Sequence, residues 1–154
     1  MIGIDLFRRR ACLLSACLFV GCLLLSGCSD GRPRREPVSG RVLIDGKPLE
    51  AGFIRVTPSE GRPASGSIGP DGRFHLKTYE DGDGCVPGNH PVAIIASKNI
   101  GDTATKWFAP KKYASPKTSG VTLEVTGPRD DVEINLSWKG SGHDQPFTEK
   151  NDGE

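Results

Sequence analysis

The side chains with reactive chemistry in this sequence are few, and their spacing narrows what they can do. Cys12, Cys17, Cys22 and Cys28 fall in or at the end of one apolar N-terminal run, and Cys85 stands alone in a glycine-rich turn, so no internal disulfide is expected. A lone thiol can be reactive, but Cys85 has no nearby histidine in sequence to take its proton, and an incidental small residue is the expectation. His75, His90 and His143 lack the i, i+4 spacing of a metal-binding pair, and each is expected to be solvated. Glu80, Asp81 and Asp83 crowd three carboxylates into five residues, enough oxygen for a weak calcium loop, yet without a closing glutamate. A solvated turn is the expectation there, so no metal and no cofactor is assigned.

The thiol with the most telling neighbours is Cys28. Arg8, Arg9 and Arg10 give a positive start, Ala11 to Leu25 is apolar but short for a bilayer span, and small residues precede the cysteine. After it comes Ser29-Asp30-Gly31-Arg32-Pro33-Arg34-Arg35-Glu36, which cannot continue an apolar helix. Leu25-Ser26-Gly27-Cys28 resembles the lipobox of bacterial lipoproteins. The resemblance implies a diacylglyceryl group on Cys28, cleavage of residues 1–27 as a signal peptide, and often acylation of the new amino group. Two or three acyl chains hold a protein stably to a bilayer at roughly 0.8 kcal/mol per buried methylene, so no membrane-spanning helix is required. Residues 28–36 then form a lipidated tether, whose arginines either rest on anionic head groups or are solvated. Ser29 after the cysteine, rather than an acid, favours the outer membrane of the cell envelope.

Of 20 basic and 19 acidic residues, three and one respectively leave with the signal. The near-neutral remainder argues against nucleic acid as a partner.

The elements that must position the remaining candidates are strands. Twenty glycines and twelve prolines with little helical periodicity point to short strands and turns. Val38, Val42 and Ile44 share one face of a first strand, which Asp45-Gly46 closes as a hairpin. A second strand runs from Phe53 to Thr57, and a third covers 64–68. In the fourth, Phe74 and Leu76 face inward while Arg73, His75 and Lys77 face out. Val92 to Ala96 is apolar on both faces and suits a central strand, and residues 121–125 and 132–138 alternate cleanly. Seven strands over residues 37–138 predict an all-β sandwich, and the polar stretch 139–154 reads as a disordered tail.

Taken in order, Val38-Ser39-Gly40-Arg41-Val42, Asp45-Gly46-Lys47-Pro48-Leu49, Gly69-Pro70-Asp71-Gly72-Arg73-Phe74 and Asp83-Gly84-Cys85-Val86-Pro87-Gly88 resemble the carboxypeptidase regulatory-like, transthyretin-like domain. So do Pro110-Lys111-Lys112-Tyr113 and Thr118-Ser119-Gly120-Val121-Thr122, which are similar to small bacterial lipoproteins carrying one such domain. The resemblance implies a seven-stranded, prealbumin-type, Ig-like sandwich that binds or scaffolds rather than catalyses. Where the family has Gly-x-Tyr before the central strand, this chain has His90-Pro91. Hydroxyisourate hydrolases share the fold but end in Tyr-Arg-Gly-Ser, whereas this chain ends Lys150-Asn151-Asp152-Gly153-Glu154. An isopeptide between first and last strands would need a lysine to join Asn135 of the last strand, and the first strand has Arg41 and no lysine.

The candidate interaction surface is the long connection from Ser97 to Gly120, holding Lys106, Trp107, Phe108, Lys111, Lys112 and Tyr113. Aromatics there either anchor a partner or cap the core, with Pro110 opening a helical turn. The expected protein is a monomeric, lipid-anchored envelope module, non-catalytic, with an envelope protein or polysaccharide as partner; a solute-, glycan- or calcium-binding module is the alternative, and a hydrolase is a weaker one.

Replacing Cys28 with Ala should leave an unprocessed or unlipidated precursor. Uptake of labelled fatty acid and the mass of the N-terminal peptide check this, and a variant still cut before residue 28 would refute the lipobox.

Overall fold

The computed structural model describes residues 31–150. Cys28 and residues 1–27 lie outside the described residues. The chain is all-β: eleven strands and one 310 turn succeed one another among the described residues, with no α-helix. They are β1 (Val38–Ile44), β2 (Lys47–Pro48), β3 (Gly52–Val56), β4 (Ala64–Ile68), β5 (Arg73–His75), β6 (Gly88–Ile95), β7 (Ser97–Ile100), β8 (Ala104–Trp107), the 310 turn Lys111–Ala114, β9 (Val121–Val125), β10 (Arg129–Leu136) and β11 (Phe147–Lys150).

One sheet grows around β1. Its first half pairs antiparallel with β5, its second half with β2, and its other edge runs parallel to β10 with Val42 opposite Ile134. Asp45 and Gly46 turn the β1–β2 hairpin at φ 47° and 78°, the left-handed pair whose twist matches that of the strands. The second sheet is antiparallel in the order β4-β3-β6-β9. Alternation along both sheets sends Val38, Val42, Phe74, Val132 and Ile134 from the first, and Ile54, Val56, Ile94, Leu123 and Val125 from the second, into a single buried cluster. Phe74 and Leu76 point in while Arg73, His75 and Lys77 are exposed, as their alternation requires.

β6 lies between β3 and β9. Val92, Ala93 and Ile94 are buried, but Ile95 is 37% exposed, so the strand is dry on both faces only in part. Pro91 has no N–H to donate, yet it stays opposite Thr122, and its carbonyl accepts from the Thr57 N–H at 3.0 Å.

Three expectations need correction. The chain forms more than seven strands, because the connection from Ser97 to Gly120 folds into the β7–β8 hairpin followed by the 310 turn after Pro110. The segment expected to be a disordered tail supplies β11, which pairs with β8 to complete a three-stranded ribbon, β11-β8-β7. Phe147 secures it: its ring meets Trp138 edge-on at 6.2 Å and stacks on His143 at 3.6 Å. These strands escape a hydrophobic reading because β7 is exposed throughout and β11 nearly so. Finally, the end of the expected tether belongs to the domain. Glu36 and Cys85 exchange backbone hydrogen bonds at 2.8 and 3.0 Å. Gly84 makes this approach possible, since at φ 81° a Cβ would stand 1.7 Å from the Glu36 carbonyl oxygen.

Phe74 is 1% exposed at the centre of the core. Phe74→Ala should cost about 3–5 kcal/mol in urea denaturation, whereas His75→Ala should cost under about 0.5 kcal/mol. Equal losses would refute the assigned faces.

Candidate functional site

The acidic turn is organised by Asp83. Its carboxylate accepts the Thr78 and Tyr79 backbone N–H groups at 2.6 and 3.0 Å. It also faces Arg35 Nε at 2.9 Å, as a charge pair rather than an aligned hydrogen bond. The Arg35 guanidinium lies over the Tyr79 ring, 4.8 Å from its centroid, and Arg62 approaches the same ring at 5.4 Å. Burial opposes ionisation of Asp83, but its backbone N–H donors and Arg35 outweigh that and hold its carboxyl below the ordinary value. Asp81 reaches back to Lys77 at 2.7 Å. Two of the three carboxylates weighed as weak calcium ligands, Asp81 and Asp83, thus have cationic partners within the protein. No group of three His, Cys, Asp or Glu side chains among the described residues is placed to hold a metal.

The histidines do not converge. His75 is exposed on β5, and His143 stacks on Phe147. His90, expected to be solvated, is buried, and its Nε2 lies 2.9 Å from the Val86 carbonyl. A carbonyl only accepts, so Nε2 carries the proton in this contact. Cys85 is a free buried thiol, pushed up to about 11 by burial, which leaves it protonated at neutral pH and a poor nucleophile.

The residues of the 97–120 segment divide between two roles. Tyr113 is a core cap: it is buried, and its hydroxyl accepts the Ser137 N–H at 3.1 Å. Phe108 packs against the core, and its N–H donates to the Ala96 carbonyl at 2.7 Å. Trp107 stands on the ribbon opposite Phe147, half-buried, with Lys111 Nζ 5.4 Å from its ring. Lys111 is also ion-paired with Glu149 of β11. Lys106 and Lys112 lie over Phe108 and Tyr113 at 5.2 and 4.9 Å.

Beside this ribbon opens a cleft of about 680 Å³. Ile44, Pro48, Leu49, Phe108, Trp138 and Pro146 give it apolar walls, and Asp45, Lys47, Glu50 and Asp144 stand along it. The hairpin turn holds one side: Asp45 accepts the Ser137 hydroxyl at 2.7 Å and the Trp138 N–H at 3.3 Å. Of the six residues put forward from sequence as an interaction surface, Phe108 alone lines it. Trp138 and Pro146 were the available signal, two large apolar residues flanking a polar stretch otherwise read as tail.

No protein-family model matches the chain, and no curated protein or solved structure is significantly similar to it.

Because Asp83 ionises more readily folded than unfolded, its contribution is complete above pH ~4 and is lost as pH falls through its lowered folded value. Asp83→Ala should therefore cost about 1.5–3 kcal/mol at pH 7. The gap between variant and wild type should narrow by pH 2, in urea melts at both pH values; an unchanged gap would refute the charged staple.

Proposed function

We propose that this chain is a lipid-anchored cell-envelope protein whose domain, a transthyretin-like β-sandwich, serves as a non-catalytic interaction module. The lipobox-like residues before Cys28 support the anchor. Two sheets sharing one buried cluster, with β1 and the penultimate strand β10 side by side, support the sandwich. The observation that carries the interaction role is the open cleft, whose aromatic and proline walls beside charged groups have the composition of a recognition surface. Trp107, Lys106 and Lys111 extend that surface along the ribbon, while Phe108 and Tyr113 support it from below. The partner that fits is an extended, partly apolar segment of another envelope protein.

A small extracytoplasmic solute is the second reading, favoured by the cleft volume, which lies in the range of small-molecule sites.

Photo-reactive residues placed at Lys47, Trp107 and Glu133 in intact cells test the proposal. The first two should capture the same protein and Glu133, exposed on β10, should not. Trp107→Ala should weaken capture by about 2 kcal/mol, roughly 30-fold, with little change in the urea midpoint. Capture spread equally over all three positions, or a stability loss of about 3–5 kcal/mol without specific loss of capture, would overturn it.

A further inference from the structure

The second sheet carries a charged groove on its solvent face that the cleft and ribbon do not use. It has a volume of about 440 Å³ and is lined by Phe53, Arg55, Arg62, Lys77 and Tyr79 with small hydroxyl residues, and no acid lines it. Phe53 and Tyr79 are among the large hydrophobic side chains the domain leaves exposed, at 40% and 37%. Of the acids that follow Tyr79, Asp83 faces Arg35, whereas Asp81 pairs with the groove's own Lys77 and offsets its charge, so the uncompensated cations of the groove are its arginines. Among the described residues neither Arg55 nor Arg62 is in an ion pair. Lysine and arginine around exposed aromatic rings match the head-group region of an anionic bilayer, where cations meet phosphates and aromatic rings sit at the interface.

The chain path adds a second, independent reason. Arg35, near the end of the tether, lies over the Tyr79 ring, so the tether enters the domain at this groove. From Cys28 to Arg35 the chain reaches at most about 25 Å when fully extended. An acyl group on Cys28 would keep the groove within reach of the bilayer, and contact brings its cations inside the Debye length of about 8–10 Å over which surface charge acts.

We propose that the groove of Arg55, Arg62, Lys77, Tyr79 and Phe53 is a membrane-docking face, which seats the domain on anionic phospholipid head groups beside its own anchor. This rests on the lipid-anchor reading. The geometry makes Arg35 a structural staple rather than a head-group ligand, and assigns the electrostatic contact to Arg55 and Arg62, which project from the folded sheet and its loop.

The test uses the full mature lipidated protein in vesicles of phosphatidylcholine alone or with phosphatidylglycerol. A fluorophore goes on Ser59→Cys, in the exposed β3–β4 connection, or on Glu133→Cys in the other sheet; Cys85 is buried and does not compete. Contact quenching by head-group spin-labelled lipid reports docking. Quenching at 59 should rise on anionic vesicles and fall with salt, while 133 stays unquenched. Arg55→Glu with Arg62→Glu should lower the docked-to-undocked ratio at least 30-fold, and Arg55→Lys with Arg62→Lys should preserve it. Equal quenching at 59 on neutral and anionic vesicles, or insensitivity to charge reversal, overturns the docking face while leaving the anchor intact. Binding of heparin at the groove with no vesicle response also overturns it, assigning the surface to a soluble polyanion. Mass spectrometry of the N-terminal peptide separates these from failure of the anchor: absence of the diacylglyceryl mass overturns the anchor itself.

Discussion

β1 is hydrogen-bonded on both edges, and two of its three partners, β5 and β10, reach it from distant parts of the sequence. Gly40 shows how tightly they close in, being opposite both Phe74 and Val132, where an added Cβ would stand 2.0 Å from the Val132 carbonyl oxygen. A side chain at that position would push β10 away from the sheet. The parallel β1–β10 pairing joins residues about ninety positions apart, so the N- and C-terminal parts of the domain must come together before that edge of β1 is satisfied. The core follows from this, since Val38, Val42, Val132 and Ile134 enter it from these two adjacent strands.

The start of β1 is held by a second constraint, the insertion of the chain at 35–36 against the turn at 83–85. The backbone exchange between Glu36 and Cys85 needs Gly84 to be without a side chain, and Asp83 holds the turn closed by accepting two backbone N–H groups. An ionised carboxylate is the stronger acceptor for this, which explains why the acid-rich segment is architectural. Of the three carboxylates in these five residues, two have cationic partners within the domain. Here Asp83 points inward to amides and an arginine, and Asp81 points along the chain to Lys77.

Legibility in the sequence followed burial. β1, β3, β4, β5, β6, β9 and β10 alternate, or run apolar, because one or both faces enter the core, and they were readable for that reason. β7, β8 and β11 satisfy their backbones against each other at the surface, so their side chains answer to solvent and carry no period. His90 was misread as solvated because its partner is a backbone carbonyl, Val86, which leaves no trace in residue type. The cleft was nearly invisible for a related reason. Its walls come from residues 44–51, Pro70, Phe108 and 138–146, brought together by β1–β10 pairing and by the packing of Phe147 on Trp138.

The two ends of β1 also give the domain a direction. Arg35 and Glu36 enter at its beginning, next to Tyr79, while Ile44 and Asp45 at its end form one side of the cleft. Seven residues of extended strand separate them by about 20 Å. If Cys28 carries the proposed lipid, this geometry would put the tethered end toward the bilayer and the cleft away from it. The polarity depends on a rigid strand rather than on a flexible linker. Lengthening the tether would therefore loosen the basic groove from the surface without changing the shape of the cleft, because the hydrogen bonds that shape it, from Ser137 and Trp138 to Asp45, lie wholly at the distal end.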